Sequence, residues 1–261
     1  MTLLILTVGL SPLAAEPASE RFEIPPEILR SARKLQKEIK SEAEARPTEQ
    51  TLGGGDIQFT RNVPERLRTQ FLEDMKSVAA IRGTNGSPLY RRFFGGPVEG
   101  RLLKRWIRDR IHSVGVGACY SSEANQCYLP GGRLQFQFPD LHVFYDRWNR
   151  LATIIHEARH ANGIFHRPCL FPDVSKLQRI PIWNEARLLN EKIPRDHWGL
   201  WCDWTIDGPV GYEAVALINI ARYCTSCSET DKTEARKAGL RSAFVHLASL
   251  EAWEALDADS R

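Results

Sequence analysis

Residues 156 to 166 read HEARHANGIFH, and no other stretch constrains the folding of this chain as tightly. Leu151, Ile154, Ile155 and Ala158 recur at helical spacing across its start, so the motif begins inside an amphipathic helix that Asn162 and Gly163 bring to a stop. On that helix His156 and His160 are one turn apart, with Cβ atoms about 6 Å from each other. Both imidazoles can therefore reach one tetrahedral zinc ion. Glu157 is rotated about 100° from His156 and can address a water at the metal without being a ligand. Gly163 permits a sharp turn, after which His166 can return as a third ligand.

Elsewhere the pattern mixes helices with short strands. Residues 113 to 118 and 133 to 138 read as strands, since Leu134, Phe136 and Phe138 alternate with Gln135 and Gln137 in RLQFQFP in the manner of a half-buried strand. Asn62 and Glu65 form a candidate capping box ahead of Leu67, Phe71, Met75 and Val78 at helical spacing. A second helix is expected over 98 to 112, a third from Pro209 to Tyr223, and a long one over 231 to 256 facing inward with Leu240, Phe244, Leu247, Leu250 and Trp253.

Composition narrows the class. Hydrophobic residues at 43% and charged residues at 26% exclude a disordered, collagenous or polytopic membrane chain, and a net charge of +3 carries no global nucleic-acid signature. Residues 58 to 112 are locally basic, with 12 Lys or Arg against 5 acids. Those charges interleave with Leu102, Leu103, Trp106, Ile107 and Ile111, the pattern of a packed helix with a solvated outer side. No nucleic-acid partner is expected.

The N-terminus, MTLLILTVGLSPLAAE, has an apolar core over residues 3 to 10 followed by small residues, as in a secretory signal peptide over 1–15. That core is too short to span a bilayer, and no stable membrane insertion is expected. Residues 16–56 read as a helical N-terminal segment ending in a polar, glycine-rich linker over 46 to 56, and 57–261 as the catalytic domain. Six cysteines in an exported chain imply three disulfides among fifteen possible pairings. Spacing favours Cys119 with Cys127 and Cys224 with Cys227, leaving Cys169 and Cys202 for each other, although the CTSC of residues 224 to 227 would in a reducing cytosol read as redox-active or half a zinc site. Cys169, three residues after His166, is well placed to pin the loop of the third ligand.

HEARHANGIFH matches every fixed position of HExxHxxGxxH, the zinc signature of the metzincin branch of zincin metallopeptidases, and the chain also looks like uncharacterised secreted bacterial proteins built around HEARH. The resemblance implies an α+β, zincin-like fold in which a small twisted sheet packs on the active-site helix and its edge strand holds extended peptides. RLQFQFP stands where such a strand would be. Carried over, His156, His160 and His166 are zinc ligands and Glu157 is the general base. The only methionines, Met1 and Met75, precede the motif, so the chain departs from metzincins in having no methionine turn beneath the metal. Other zincins use a downstream glutamate as third ligand, which keeps Glu185 and Glu213 as alternatives to His166.

The expected function is a zinc-dependent peptidase acting on peptides or proteins in the periplasm or outside the cell. The competing expectation is a catalytically inactive, disulfide-stabilised secreted zinc-binding or envelope interaction protein. Tyr212 and Tyr223 read as core rings before oxyanion donors. His112, His142, His197 and His246 lack ligand spacing and read as ordinary residues.

Overall fold

The computed structural model describes residues 52–54, 57–119, 126–169, 174–191 and 201–261, all within a unit running from Pro47 to Arg261. The expected signal peptide, nearly all of the N-terminal segment and His197 lie outside the described residues.

The fold is α+β. Five short strands form one sheet: β1 (Leu52–Gly54), β2 (Ile57–Phe59), β3 (Ser113–Val116), β4 (Gln126–Leu129) and β5 (Arg133–Phe136), in the order β1-β2-β3-β5-β4. Strands β2, β3 and β5 are parallel, while β1 and β4 run antiparallel along the two edges. Part of the stretch read as a linker is therefore strand, with Leu52 opposite Phe59. Gly131 and Gly132, at φ 82° and 80°, close the β4–β5 hairpin in a conformation that L side chains rarely adopt.

RLQFQFP supplies β5 as its alternation predicts, but β5 is an interior strand and the edge is β4. Leu134, Gln135 and Phe136 are all buried, so the strand is covered on both faces. Its buried Gln135 is satisfied by donating to the Ala118 carbonyl at 2.5 Å.

Helix α1 (Glu65–Ala80) begins at Pro64 without a side-chain cap. The capping box read at Asn62 and Glu65 does not form, because the Asn62 amide donates to the Val116 carbonyl at 2.6 Å and ties the helix entrance to β3. Helices α2 (Pro88–Phe94), α3 (Gly100–Arg108) and α4 (Pro139–Phe144) follow. In α3, Leu103, Trp106 and Ile107 are buried while Arg101 and Arg105 are exposed. Helix α5 (Arg147–His160) carries most of the motif. Asp146 caps it by accepting from the Trp148 and Asn149 backbone N–H groups, a contact that also places a carboxylate at the positive end of the helix.

The C-terminal part is helical: α6 (Val174–Leu177), α7 (Pro181–Leu189), α8 (Pro209–Tyr223), α9 (Glu229–His246) and α10 (Leu250–Ser260), with a two-strand ladder of β6 (Arg167–Pro168) and β7 (Trp201–Cys202). Every residue of α8 from Pro209 to Ile220 is buried, Glu213 and Asn219 included, and it packs against α5 and α9. The single helix read over 231 to 256 is two, because the Ser249 hydroxyl accepts from the Ala252 N–H and starts α10 afresh. Underneath, Arg150 of α5 makes a two-point contact with the Asp74 carboxylate of α1, at 2.6 and 2.7 Å. Both side chains are under a tenth exposed. Such a pair fixes geometry, since losing either partner strands a buried charge.

Candidate metal centre

Helix α5 buries Leu151, Ile154, Ile155 and Ala158, which turns His156 and His160 outward together. The helix ends at Ala161, and Gly163, at φ 73°, carries the chain into its turn while its N–H bonds back to the His160 carbonyl at 2.9 Å. The chain then enters β6, and His166 folds back over the helix. One ligand-type atom from each of His156, His160 and His166 lies within 4.8 Å of the others. His156 Nε2 and His166 Nε2 are 2.8 Å apart.

Each imidazole is held through its other nitrogen. Nδ1 of His156 lies 3.3 Å from a Glu213 carboxylate oxygen, that of His160 lies 2.6 Å from the Ile164 carbonyl, and that of His166 lies 2.8 Å from Asp203 Oδ1. For His160 and His166 an acceptor at Nδ1 favours the proton there and leaves Nε2 free, which is how histidine ligands are usually oriented. Burial holds His156 well below the usual imidazole range, assisted by the neighbouring His166 and His160, and burial followed by His166 brings His160 down to about 4. Neutral imidazoles are the form that binds metal.

Carboxylates crowd the same place. Glu157, Asp203 and Glu213 are 3 to 6% exposed. Burial pushes Glu157 up to about 8 against the opposing backbone N–H of Tyr128, an edge-strand residue. Burial, then the Asp203 and Glu157 charges, pushes Glu213 well above the carboxylate range. The 2.8 Å approach of His156 Nε2 to His166 Nε2 brings two imidazoles to one point beside these acidic groups. The three histidines thus form a donor set that could hold a metal ion, and an all-imidazole set is one that zinc accepts.

The remaining candidates sort clearly by position. Glu213 stands behind His156, with a carboxylate oxygen 3.3 Å from its Nδ1. Glu185 faces elsewhere, its two oxygens each 2.6 Å from the Arg236 guanidinium. Cys169 and Cys202 are bonded, as are Cys119 with Cys127 and Cys224 with Cys227, so every spacing-favoured pairing forms. The Cys169–Cys202 bond and the ladder pairing Arg167 with Cys202 fasten the segment after His166 to the segment carrying Asp203. Asp203 itself bridges His166 and the start of α8, where its Oδ2 accepts the Val210 N–H at 2.6 Å. A side chain at Gly208 would collide with that carboxylate.

His142 is buried against the Phe136 ring at 4.6 Å, with neither ring nitrogen hydrogen-bonded within the described residues. His246 was not legible as a neighbour of the centre. Its carbonyl accepts from the Asp203 N–H at 2.9 Å, its Nδ1 is 3.2 Å from the Trp201 carbonyl, and burial lowers its pKa, with His166 near enough to contribute. Eighty residues separate it from His166, and no spacing rule spans that distance. Exposed rings of Phe165, stacked 5.9 Å from His160, and Trp201 stand nearby. No protein-family model, curated protein or solved structure matches this chain.

Proposed function

We propose that this chain is an exported zinc-dependent peptidase, a divergent metzincin-like zincin without the methionine turn. The observation that carries the reading is the convergence of one ligand-type atom each from His156, His160 and His166, with Glu157 buried one residue along the same helix. Zinc bound there would polarise the scissile carbonyl and acidify a water. Glu157 would accept a proton from the attacking water as its oxygen bonds to the carbonyl carbon, and would deliver that proton to the nitrogen as the C–N bond breaks. Burial pushes Glu157 up to about 8 against the Tyr128 backbone N–H, and a cation beside it would favour the carboxylate that accepts the proton.

Tyr128 belongs to β4, an edge strand of the sheet beside the motif helix, and an edge strand is where an extended peptide would add. The three disulfides support an oxidising location, outside the cell or in the periplasm. Among the described residues no helix is long and apolar enough to cross a membrane.

Metal analysis combined with hydrolysis of a generic unfolded protein tests the reading. Glu157→Ala is expected to keep stoichiometric zinc while hydrolysis falls about 100-fold to 10,000-fold, the range for a lost general base. Full activity in Glu157→Ala would refute the mechanism, and zinc without turnover in the unmutated protein would favour the inactive zinc-binding alternative.

A further inference from the structure

Three elements bring a stack of aromatic rings together beside the motif helix. Phe93 of α2 and Tyr212 of α8 are parallel, with centroids 3.8 Å apart and planes 4° from coplanar. Trp106 of α3 lies 5.7 Å from Tyr212 at 26°. Each ring carries an arginine: Arg159 of α5 is 4.1 Å above Tyr212, Arg110 is 4.2 Å above Trp106, and Arg92 is 5.0 Å above Phe93.

Arginines often lie on aromatic faces merely to cover them, and the contact stabilises by about 0.5–1 kcal/mol where it is exposed. Two observations exceed that explanation. The first is charge: Asp207 pairs with Arg92 at 2.8 Å, and among the described residues no carboxylate pairs with Arg110 or Arg159. Arg110 donates instead to the Asn162 side chain at 3.3 Å and the Trp106 carbonyl at 2.9 Å, and Arg159 to the Asp207 carbonyl at 2.9 Å. Burial lowers the pKa of Arg110; Tyr212 and Asp109 act to raise it, and the Arg159 charge acts with burial. Both guanidiniums thus lie on neighbouring rings of one stack, each without a carboxylate partner among the described residues.

The second observation is the Tyr212 hydroxyl. Its ring is clamped between Phe93 and Arg159, but the hydroxyl has no hydrogen-bond partner among the described residues, and the charges of Arg159, Asp207, Arg110 and Arg92 all act on it. Guanidinium groups and a phenol hydroxyl on adjoining rings are the donor chemistry that grips a carboxylate or phosphate.

We infer that this aromatic shelf is a binding site for an oxyanion of the carboxylate or phosphate class, held by the Arg110 and Arg159 guanidiniums and the Tyr212 hydroxyl. The site is separate from the histidine centre and stands whether or not that centre hydrolyses peptides. Its anion would enter from an acidic peptide, through a side chain or a C-terminal carboxylate, or from a phosphorylated ligand.

Thermal unfolding of the full chain in inorganic phosphate or succinate, against chloride at equal ionic strength, tests the inference. At roughly ten times Kd the midpoint is expected to rise by about 3–5 °C. The rise should vanish in the Arg110→Gln/Arg159→Gln double variant and persist in chelator. A response to phosphate alone supports a phosphorylated ligand, and one to succinate alone a carboxylate. Should the double variant not fold, Tyr212→Phe keeps the stacked ring and is expected to weaken the responding anion about 3- to 10-fold by titration calorimetry. No response to either anion, a response lost in chelator but kept in the double variant, or unchanged affinity in Tyr212→Phe would overturn the inference.

Discussion

The three histidines are held by two different kinds of structure. His156 and His160 ride on α5, where the helix itself sets their spacing and the Asp146 cap, the buried apolar face and the Arg150–Asp74 pair hold the helix. His166 stands beyond a glycine turn, where no regular element positions it. A two-residue ladder, one disulfide and the Asp203 carboxylate take that role. A helix orients ligands through repeating backbone hydrogen bonds, whereas a loop ligand needs contacts from distant parts of the chain.

The largest expected effect breaks either half outright. His160→Ala and His166→Ala should each abolish stoichiometric zinc, read by metal analysis of the purified protein. Near-normal zinc in His166→Ala would remove the loop from the centre and leave only the helical pair. Next in size is the helix anchor. Asp74→Ala strands the buried Arg150 charge and should cost about 3–5 kcal/mol in urea unfolding. A cost below about 1 kcal/mol would mean that apolar packing alone holds α5.

On the loop side, Cys169→Ser with Cys202→Ser opens a closure of 33 residues, and the chain-entropy model assigns such a closure about 3–4 kcal/mol. The double variant should also bind zinc more weakly while His156 and His160 remain in place. Unaltered zinc affinity in a destabilised protein would show that the ladder and Asp203 position His166 without the disulfide. Asp203→Asn is the mildest change. It keeps an acceptor for His166 but removes the charge, and is expected to lower zinc affinity about 10- to 100-fold by competition with a chelator.

What was legible in the sequence follows the same division. The apolar positions 151, 154, 155 and 158 announce α5, and those of α8 mark its span from Pro209 to Tyr223, because helical periodicity is written every three or four residues. Short cysteine spacings suggested two disulfides and left the third by elimination. Strand β4 was not legible. QCYL sits beside a polar loop with no alternation to mark it, and its place at the sheet edge depends on pairing with β5. The capping box at Asn62 failed for a related reason, since a carbonyl 54 residues away offered the amide a partner that local reasoning could not weigh.

The sequence by itself determined the helix, the i, i+4 histidines, the glycine turn and the chemistry available to those side chains, all consequences of backbone geometry over eleven residues. Tertiary structure alone decided that His166 closes the group, that Glu213 and Asp203 stand behind histidines, that Glu185 is paired away with Arg236, and that His246 lies beside the centre. Those outcomes depend on which buried polar group finds which partner across 37 to 57 residues of chain or more, and a buried donor accepts whichever acceptor packing brings within reach.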